Sequence, residues 1–155
     1  MNPVTSNTIY LDTSVIGGYF DPQFTRYTRK FWKQIETGQI QPITSILVED
    51  EVSGAPLQVQ ELFAKTFSEP ESIVEFTAEM EALAELYLKH KIVSRQYSED
   101  AGHVAACSVL HIEYLASWNY KHLANAYRNK AFNGVNLLHG YPKVTILNPS
   151  ELLQP

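Results

Sequence analysis

The sequence predicts an α/β domain with a mostly parallel sheet that is covered by helices on both faces. Short apolar runs alternate along the chain with segments in which apolar residues recur at helical spacing. This alternation is typical of strand–helix–strand units, whose crossovers make neighbouring strands parallel. The chain has 155 residues, of which 45% are hydrophobic. Such a length predicts one domain, residues 1–155, that is large enough to bury a core.

Five short segments predict the strands, and each is bounded by turn-forming or polar residues. The first, IYL, ends directly at Asp12. The segment SIVEF is the weakest of the five, because its flanking residues give little turn signal. In chain order the predicted strands are residues 9–11, 40–44, 72–76, 114–117 and 144–147.

The helices are predicted from capping residues and from apolar spacing. Asp21 with Pro22 predicts a helix start, since Asp caps N-termini and Pro suits the first helical position. Gly38 suits the C-terminal end of that helix. Thr77 and Ser98 are expected to cap two later helices. Further helices are predicted around residues 47–52, after the break at residues 54–56, and at residues 125–138.

The charge balance is acidic, with 17 Asp and Glu against 12 Lys and Arg and a formal net charge of −5. Proteins that only hold a phosphate backbone usually carry a basic surplus, so this balance argues against simple nucleic-acid binding. It is compatible with an enzyme whose acids bind a cation. Two local basic clusters are interpreted as solvated helix faces. They are Arg26, Arg29, Lys30 and Lys33, and Lys121, His122, Arg128 and Lys130.

Cys107 is the single cysteine, which excludes an intramolecular disulfide and a multi-cysteine zinc site. We interpret it as a small buried apolar residue. The stretch MNPVTSNT lacks the charged and apolar regions of a secretion signal, and no apolar run reaches the length of a membrane span. A cytoplasmic location and no membrane partner are therefore expected.

Four polar residues stand out by their place on the predicted sheet. Asp12 ends the first strand, Glu51 lies on the helix after the second, and Asp100 lies in the first turn of a helix. Asn119 follows the strand at 114–117 by two residues. Ligands of open parallel sheets bind beyond the carboxyl ends of the strands. These side chains are therefore expected to meet at that edge.

Clustered carboxylates raise each other's pKa unless a cation neutralises them. Oxygen ligands select a hard cation such as Mg²⁺ or Mn²⁺ over zinc. Such an ion lowers the pKa of a bound water and stabilises the oxyanion of an attacked phosphodiester. The four residues together therefore predict metal-dependent hydrolysis. Taken singly, each keeps a structural interpretation: Asp12 as a turn cap, Asp100 as a helix-dipole partner, Glu51 as an exposed acid and Asn119 as a turn residue.

Four segments, in order, resemble the PIN-domain family over residues 8–153. IYLDTSVIGGYFD resembles its opening strand, and ITSILVEDEVSGAP its second segment, where a Glu follows a Ser or Thr by six residues. That spacing favours Glu51, counted from Ser45, over Glu49. GYPKVTILNPSELL is similar to the last strand and turn. EDAGHVAACSVLHIEYLASWNYKHLANA resembles the most specific pattern, matched by Asp100, Ala101, His103, Ala105, Ser117 and Asn119.

The resemblance implies a three-layer sandwich and a Mg²⁺- or Mn²⁺-dependent endonuclease of single-stranded RNA. Many such proteins are VapC-type toxins silenced by an antitoxin protein, and a homodimer is expected on the same likeness. The implied catalytic set is Asp12, Glu51, Asp100 and Asn119, with Asp12, Glu51 and Asp100 on the metal and Thr13, Ser117 and His103 in support.

Two positions depart from the family pattern. Asn119 stands where many members carry Asp, so one carboxylate is missing and weaker metal binding is expected. Gly102 stands where a larger apolar residue is usual, which is expected to loosen packing beside Asp100. The alternative function, favoured by Asn119 and the acidic charge, is a PIN-fold binding or assembly module with weak or no catalysis. A phosphatase would use the same acids.

The aromatic residues around these positions are interpreted structurally. His103 lies one helical turn after Asp100 and is expected to support the site through a hydrogen bond. Trp118 and Tyr120 flank Asn119, and the alternation at a strand end predicts that at least one of them is buried. His122 fits a phosphate contact and a polar surface position equally well.

Overall fold

The computed structural model describes residues 7–155, and its five strands form one parallel sheet in the order β3-β2-β1-β4-β5. The strands are β1 Thr8–Leu11, β2 Gln41–Ser45, β3 Ile73–Val74, β4 Tyr114–Ala116 and β5 Thr145–Leu147. The predicted parallel sheet is confirmed. Residues 1–6, which belong to the predicted domain and to the stretch tested for a signal, lie outside the described residues.

The α-helices of residues 7–155 flank this sheet and complete the predicted three-layer sandwich. They are α1 Thr13–Gly18, α2 Thr25–Glu36, α3 Ile46–Val52, α4 Leu57–Thr66, α5 Ala78–Lys89, α6 Ser98–Leu110 and α7 Ala126–Leu138. Within the same residues, no helix combines the length and the apolar character that a membrane span needs.

The strand β1 lies at the centre of the sheet and is buried on both faces. Ile9, Tyr10 and Leu11 are each at most 1% exposed, which explains why the strand has no polar alternation. Burying an aliphatic side chain of this size contributes roughly 1.5–3 kcal/mol. Cys107 is also fully buried and free, as its apolar interpretation predicts. The core therefore fixes the position of the residue that follows β1.

Two predicted helix starts are wrong. The helix expected at Asp21 begins at Thr25, because the main-chain N–H groups of Phe24 and Thr25 both donate to the carbonyl oxygen of Asp21 and close a separate turn. Ser98 is the first residue of α6 and not its cap. The chain enters α6 directly from a 3₁₀ turn, and Tyr97, at the capping position, makes no side-chain capping bond.

Other local predictions are confirmed. The hydroxyl oxygen of Thr77 accepts a hydrogen bond from the Met80 N–H at 3.2 Å and caps α5. Gly38, which follows α2, has a φ of 82°, a conformation that glycine adopts without strain. The short helix α1 was not predicted, because six residues ending in two glycines carry too little periodicity.

Candidate active site at the carboxyl ends of the strands

The sheet reverses its order between β1 and β4, and Asp12 lies at this point. In open α/β sheets the crevice beyond such a reversal is the usual ligand position. Asp12 follows β1 directly, and its N–H donates to the carbonyl of Ala116 at the end of β4, 3.3 Å away. The site is therefore built on the two central strands, which are the most constrained part of the fold.

Asp12 is a buried carboxylate that also caps α1. Its side chain is only 4% exposed. Its Oδ1 atom accepts hydrogen bonds from the Ser14 hydroxyl at 2.6 Å and from the Val15 N–H at 3.2 Å. The capping interpretation of Asp12 is thus confirmed. Capping engages the Oδ1 atom of Asp12.

Glu51 points from α3 towards the same region. Its Oε1 atom accepts a hydrogen bond from the Thr13 hydroxyl at 2.6 Å and lies 3.7 Å from His103 Nε2. Glu49 on the same helix is exposed. Glu51 is therefore the acid of α3 that contacts Thr13 and faces His103, while its role at the site and that of Thr13 stay predictions.

Asp100 and Asn119 meet across the site. The Nδ2 atom of Asn119 donates to Asp100 Oδ2 at 3.4 Å, while its Oδ1 atom accepts the N–H of His122 at 3.1 Å. The N–H of Asn119 itself donates to the Ser117 hydroxyl at 3.0 Å. The sequence suggested Asn119 as a neutral oxygen ligand. In the structure its side-chain oxygen accepts the main-chain N–H of His122, and its side-chain nitrogen contacts Asp100.

His103 is buried close to Glu51 and belongs to a hydrogen-bonded network with Tyr10 and Ser45. Its Nδ1 atom lies 2.8 Å from the Tyr10 hydroxyl, which lies 2.7 Å from the Ser45 hydroxyl. Ser45 in turn accepts the N–H of Leu47 and caps α3. The opposite ring nitrogen faces Glu51. The network therefore links the start of α3 to the glutamate at its end.

The electrostatics of the site are those of crowded carboxylates. Burial raises the pKa of Asp12, while His103 and the Ser117 and Ser14 hydroxyls lower it in part. Burial also raises the pKa of Asp100, to about 6; His103 opposes this rise, and the charges of Asp12 and Glu51 add to it. Asp100 is thus the acid of the site whose pKa responds to the charges of the other two.

Glu51 and His103 behave as a stabilised pair. Burial alone would raise the pKa of Glu51, but the nearby His103 ring and the hydrogen bond from the Thr13 hydroxyl outweigh it and leave the pKa below its usual value. Burial lowers the pKa of His103, but Glu51, Asp12 and Asp100 outweigh it and raise that pKa. The surrounding carboxylates thus favour the protonated form of His103.

The donor set fits a hard cation by its chemistry, although it is not a closed cage. Among residues 7–155, no three His, Cys, Asp or Glu side chains are placed to ligate one ion together. Yet the gathered donors are carboxylate oxygens, which Mg²⁺ and Mn²⁺ prefer. Burial is the main cause of the raised pKa of both Asp12 and Asp100, and neighbouring acids add to the rise only at Asp100. A bound cation would stabilise the charged form of both groups.

Two residues of the site were missed by the sequence analysis as functional candidates. Ser14 donates to Asp12 and accepts the N–H of Trp118 at 2.9 Å, so it joins the ends of β1 and β4. Tyr10 places a polar hydroxyl beneath the acids from within a buried strand. Two features of the sequence could have indicated them. Ser14 carries a hydroxyl directly after Asp12 and Thr13, and Tyr10 is a polar aromatic residue between the aliphatic Ile9 and Leu11.

Gly102 is buried, and a Cβ atom at this position would lie only 2.8 Å from the Leu47 side chain. Gly102 and Leu47 also line a cavity of about 290 Å³ with Phe76 and Glu99, so space does remain one helical turn from the candidate site, in the direction that the sequence predicts. Trp118 is 8% exposed and Tyr120 51% exposed, so one of the two flanking aromatics is buried, as predicted.

Comparisons with known proteins give a match in structure but not in sequence. No protein-family model matches the chain, and a search of curated proteins finds no relative. The fold matches a chain in the crystal structure of FitAcB from Neisseria gonorrhoeae, with a TM-score of 0.52 and 16% sequence identity. The match covers 91% of this chain and 97% of that one. At this identity the likeness is evidence for the fold alone.

Proposed function

We propose that this chain, which has the VapC-like PIN fold that its motifs predict, is a metal-dependent endonuclease of single-stranded RNA. One observation carries the proposal. Carboxylates from β1, α3 and α6, far apart in sequence, gather with His103 at the point where the sheet reverses its order. Burying these acids near one another costs stability, and a site that binds a cation is the simplest reason for it.

In this proposal the residues of the chain have distinct tasks. A bound Mg²⁺ or Mn²⁺ would supply a water of lowered pKa and neutralise charge at the attacked phosphate. Asp12, Glu51 and Asp100 would hold the ion. Thr13 fixes the orientation of Glu51 through its hydroxyl, and Asn119 fixes that of Asp100 through its amide. Such supporting contacts restrict the rotamers of the acids and so prepare the site.

The wider setting is proposed on the resemblance of the motifs. The nuclease would be the toxin of a toxin–antitoxin pair, silenced by an antitoxin protein, active as a homodimer and located in the cytoplasm. Co-expression with the reading frame that neighbours its gene, followed by purification of a stable complex, tests the antitoxin. Sedimentation of the purified chain tests the dimer.

The enzymatic part is tested by cleavage of a mixed-sequence single-stranded RNA in Mn²⁺. We expect the unmodified protein to cleave, and Glu51→Gln and Asp12→Asn to fall to background. Glu49→Gln is the matched control, because it removes an acid from the same helix at an exposed position; it should retain full activity. No cleavage by the unmodified protein, or equal activity in all variants, would contradict the proposal.

The second candidate is a binding or assembly module with weak or no catalysis. It is favoured by the absence, within residues 7–155, of a preformed three-ligand arrangement and by the engaged oxygen of Asn119. Thermal melting with and without millimolar Mn²⁺ separates the two. An ion that binds only the folded state raises the melting temperature. A rise that Asp12→Asn abolishes supports the nuclease, whereas no rise supports the module.

A further inference from the structure

The helix α2 carries an exposed basic stripe in an otherwise acidic chain. Four of the twelve Lys and Arg lie in this one twelve-residue helix, beside a single Glu, while the chain has a formal net charge of −5. Their spacing of three, four and seven residues places them on one helical face. The stripe consists of Arg26, Arg29, Lys30 and Lys33, all exposed.

The opposite face of α2 packs into the core, so the stripe has a fixed orientation. Thr28, Phe31 and Trp32 are buried at the complementary helical positions. Within residues 7–155, none of the four cations forms an ion pair with an acid. A solvated face, as the sequence suggested, usually intersperses charges of both signs. This face carries four positive charges and, at its C-terminal end, Glu36, which forms no ion pair with them in the described residues.

An aromatic side chain is interleaved with these cations. Tyr27 is 40% exposed, with the Arg26 guanidinium 5.5 Å and the Lys30 ammonium 5.4 Å from its ring centroid. Arg29 differs from its neighbours, because it lies over Tyr19 at 4.3 Å and donates to the Tyr19 carbonyl. Three cations of the stripe thus remain free of main-chain contacts, next to a ring that can stack on a base.

The stripe begins beside the candidate site. Because β1 ends at the site edge and the parallel β2 starts at the opposite edge, α2 runs back with its first turns near the site. The Trp118 indole N–H donates to the Thr28 hydroxyl at 2.9 Å, and Phe24 stacks on the Trp118 ring at 4.6 Å. The next residue, Asn119, holds Asp100. The helix that carries the basic stripe therefore packs against Trp118, the residue next to Asn119 of the candidate site.

We propose that the basic stripe of α2 binds the phosphate backbone of single-stranded RNA and leads the strand to the acidic site. This inference rests on the proposed nuclease function and names the surface that holds its substrate. From Arg26 to Lys33 the stripe extends about 10 Å along the helix axis, which matches about three phosphates of a stacked strand. Its charge complements a polyanion, and Tyr27 offers a face to one base.

Binding is measured without cleavage, with a labelled oligouridylate in EDTA over a range of salt concentrations. The test variant is the triple substitution Arg26→Gln, Lys30→Gln and Lys33→Gln, which leaves the tether at Arg29 intact. The control variant is Lys89→Gln, Lys91→Gln and Lys143→Gln. It removes the same charge from exposed positions away from α2.

We expect the α2 variant to bind the oligouridylate at least about tenfold more weakly at low salt. The slope of log affinity against log salt should fall by about 2, since each lost phosphate contact on a single strand removes about 0.7. The control should match the unmodified protein. Equal losses in both variants would assign the effect to net charge and overturn the proposal, as would an unchanged α2 variant.

Two further measurements keep this inference separate from the nuclease proposal. If the protein binds an oligoglutamate peptide more tightly than RNA through this stripe, the stripe is a binding surface for an acidic protein. That result would overturn the inference. In cleavage assays, the α2 variant should show a raised KM with a kcat close to normal. If the unmodified protein never cleaves RNA but only the α2 variant loses RNA binding, the RNA-binding role of the stripe is supported. Only the proposed nuclease activity is then rejected.

Discussion

At the scale of single residues, Asn119 shows how a side chain with a predicted position can have an unpredicted orientation. Its place two residues after β4 follows from the sequence motif. Its orientation depends on the N–H of His122, which holds Oδ1 and turns the amide nitrogen towards Asp100. The amide therefore relieves negative charge beside Asp100, where a carboxylate would increase it.

The substitution Asn119→Asp tests this role. The new carboxylate would keep one oxygen on the His122 N–H and direct the other at Asp100, only about 3.4 Å away at the position of the present nitrogen. Without metal at pH 7, we expect a lower melting temperature, because two carboxylates at this distance repel. With Mn²⁺ we expect a larger rise than the unmodified protein shows, since a further oxygen ligand becomes available.

Thermal melting at several Mn²⁺ concentrations measures both effects. Asn119→Ala is the control, because it removes the amide without adding charge. It should also destabilise, yet it should not increase the response to Mn²⁺. If Asn119→Asp is as stable as the unmodified protein without metal, the contact with Asp100 does not have the assigned role.

At the scale of elements, α7 protects the free edge of the sheet with a row of asparagines. The outward N–H and C=O of Ile146 bond to the side chain of Asn129, at 2.7 and 3.0 Å. Those of Val144 bond to Asn133, at 2.8 and 2.7 Å. Asn129 and Asn133 are four residues apart on the helix, a rise of about 6 Å. Val144 and Ile146 are two residues apart on the strand, a rise of about 6.6 Å, so each asparagine lies beside its strand residue.

The asparagine row is expected to stabilise β5 and to block pairing with a second chain. In Asn133→Ala the N–H and C=O of Val144 lose their partners in a partly buried place. We expect a loss of about 1–3 kcal/mol in the free energy of unfolding. We also expect faster aggregation, because unpaired strand edges are templates for association. Urea unfolding and light scattering measure the two effects.

Lys130→Ala is the matched control, since it truncates an exposed residue of the same helix. It should unfold at nearly the same urea concentration as the unmodified protein. If Asn133→Ala behaves like Lys130→Ala in both assays, water replaces the amide without cost, and the row is not a stabilising device.

At the scale of the whole molecule, sequence patterns predict what depends on local residues and miss what depends on tertiary contacts. The parallel sheet and the strand positions follow from apolar alternation and from motifs. The start of α2 was misplaced because a turn at Asp21 competes with the helix. The hydroxyl of Tyr10 could not be placed, because its partners come from β2 and α6.

The crowded acids also make a prediction about the stability of the entire fold. The pKa of Asp100 is about 6 in the folded state, against an ordinary value of 3.8. Well below pH 3.8 the group is protonated in both states and costs nothing. As pH rises towards 6, the unfolded chain releases its proton first, so the folded state loses relative stability. The cost is complete above about pH 6.

Asp100→Asn should therefore stabilise the metal-free protein while it abolishes function. Because the side chain is only partly buried, we expect a gain of about 1–2 kcal/mol at neutral pH. This corresponds to several degrees in melting temperature. The gain should vanish well below pH 3.8, where the unmodified residue is neutral as well. Differential melting curves of the two proteins between pH 3.5 and 7.5, in EDTA, measure it.

Asp50→Asn, which neutralises an exposed acid of α3, separates this local effect from the change in net charge. It should leave the melting temperature nearly unchanged across the same pH range. In Mn²⁺ the order should reverse, because an ion held by the intact acids stabilises the folded state of the unmodified protein alone. A variant that gains nothing at pH 7, or that gains equally at pH 3.5, would show that Asp100 is not held in an excess of negative charge. The acids at the sheet edge would then lack the repulsion that a bound cation relieves.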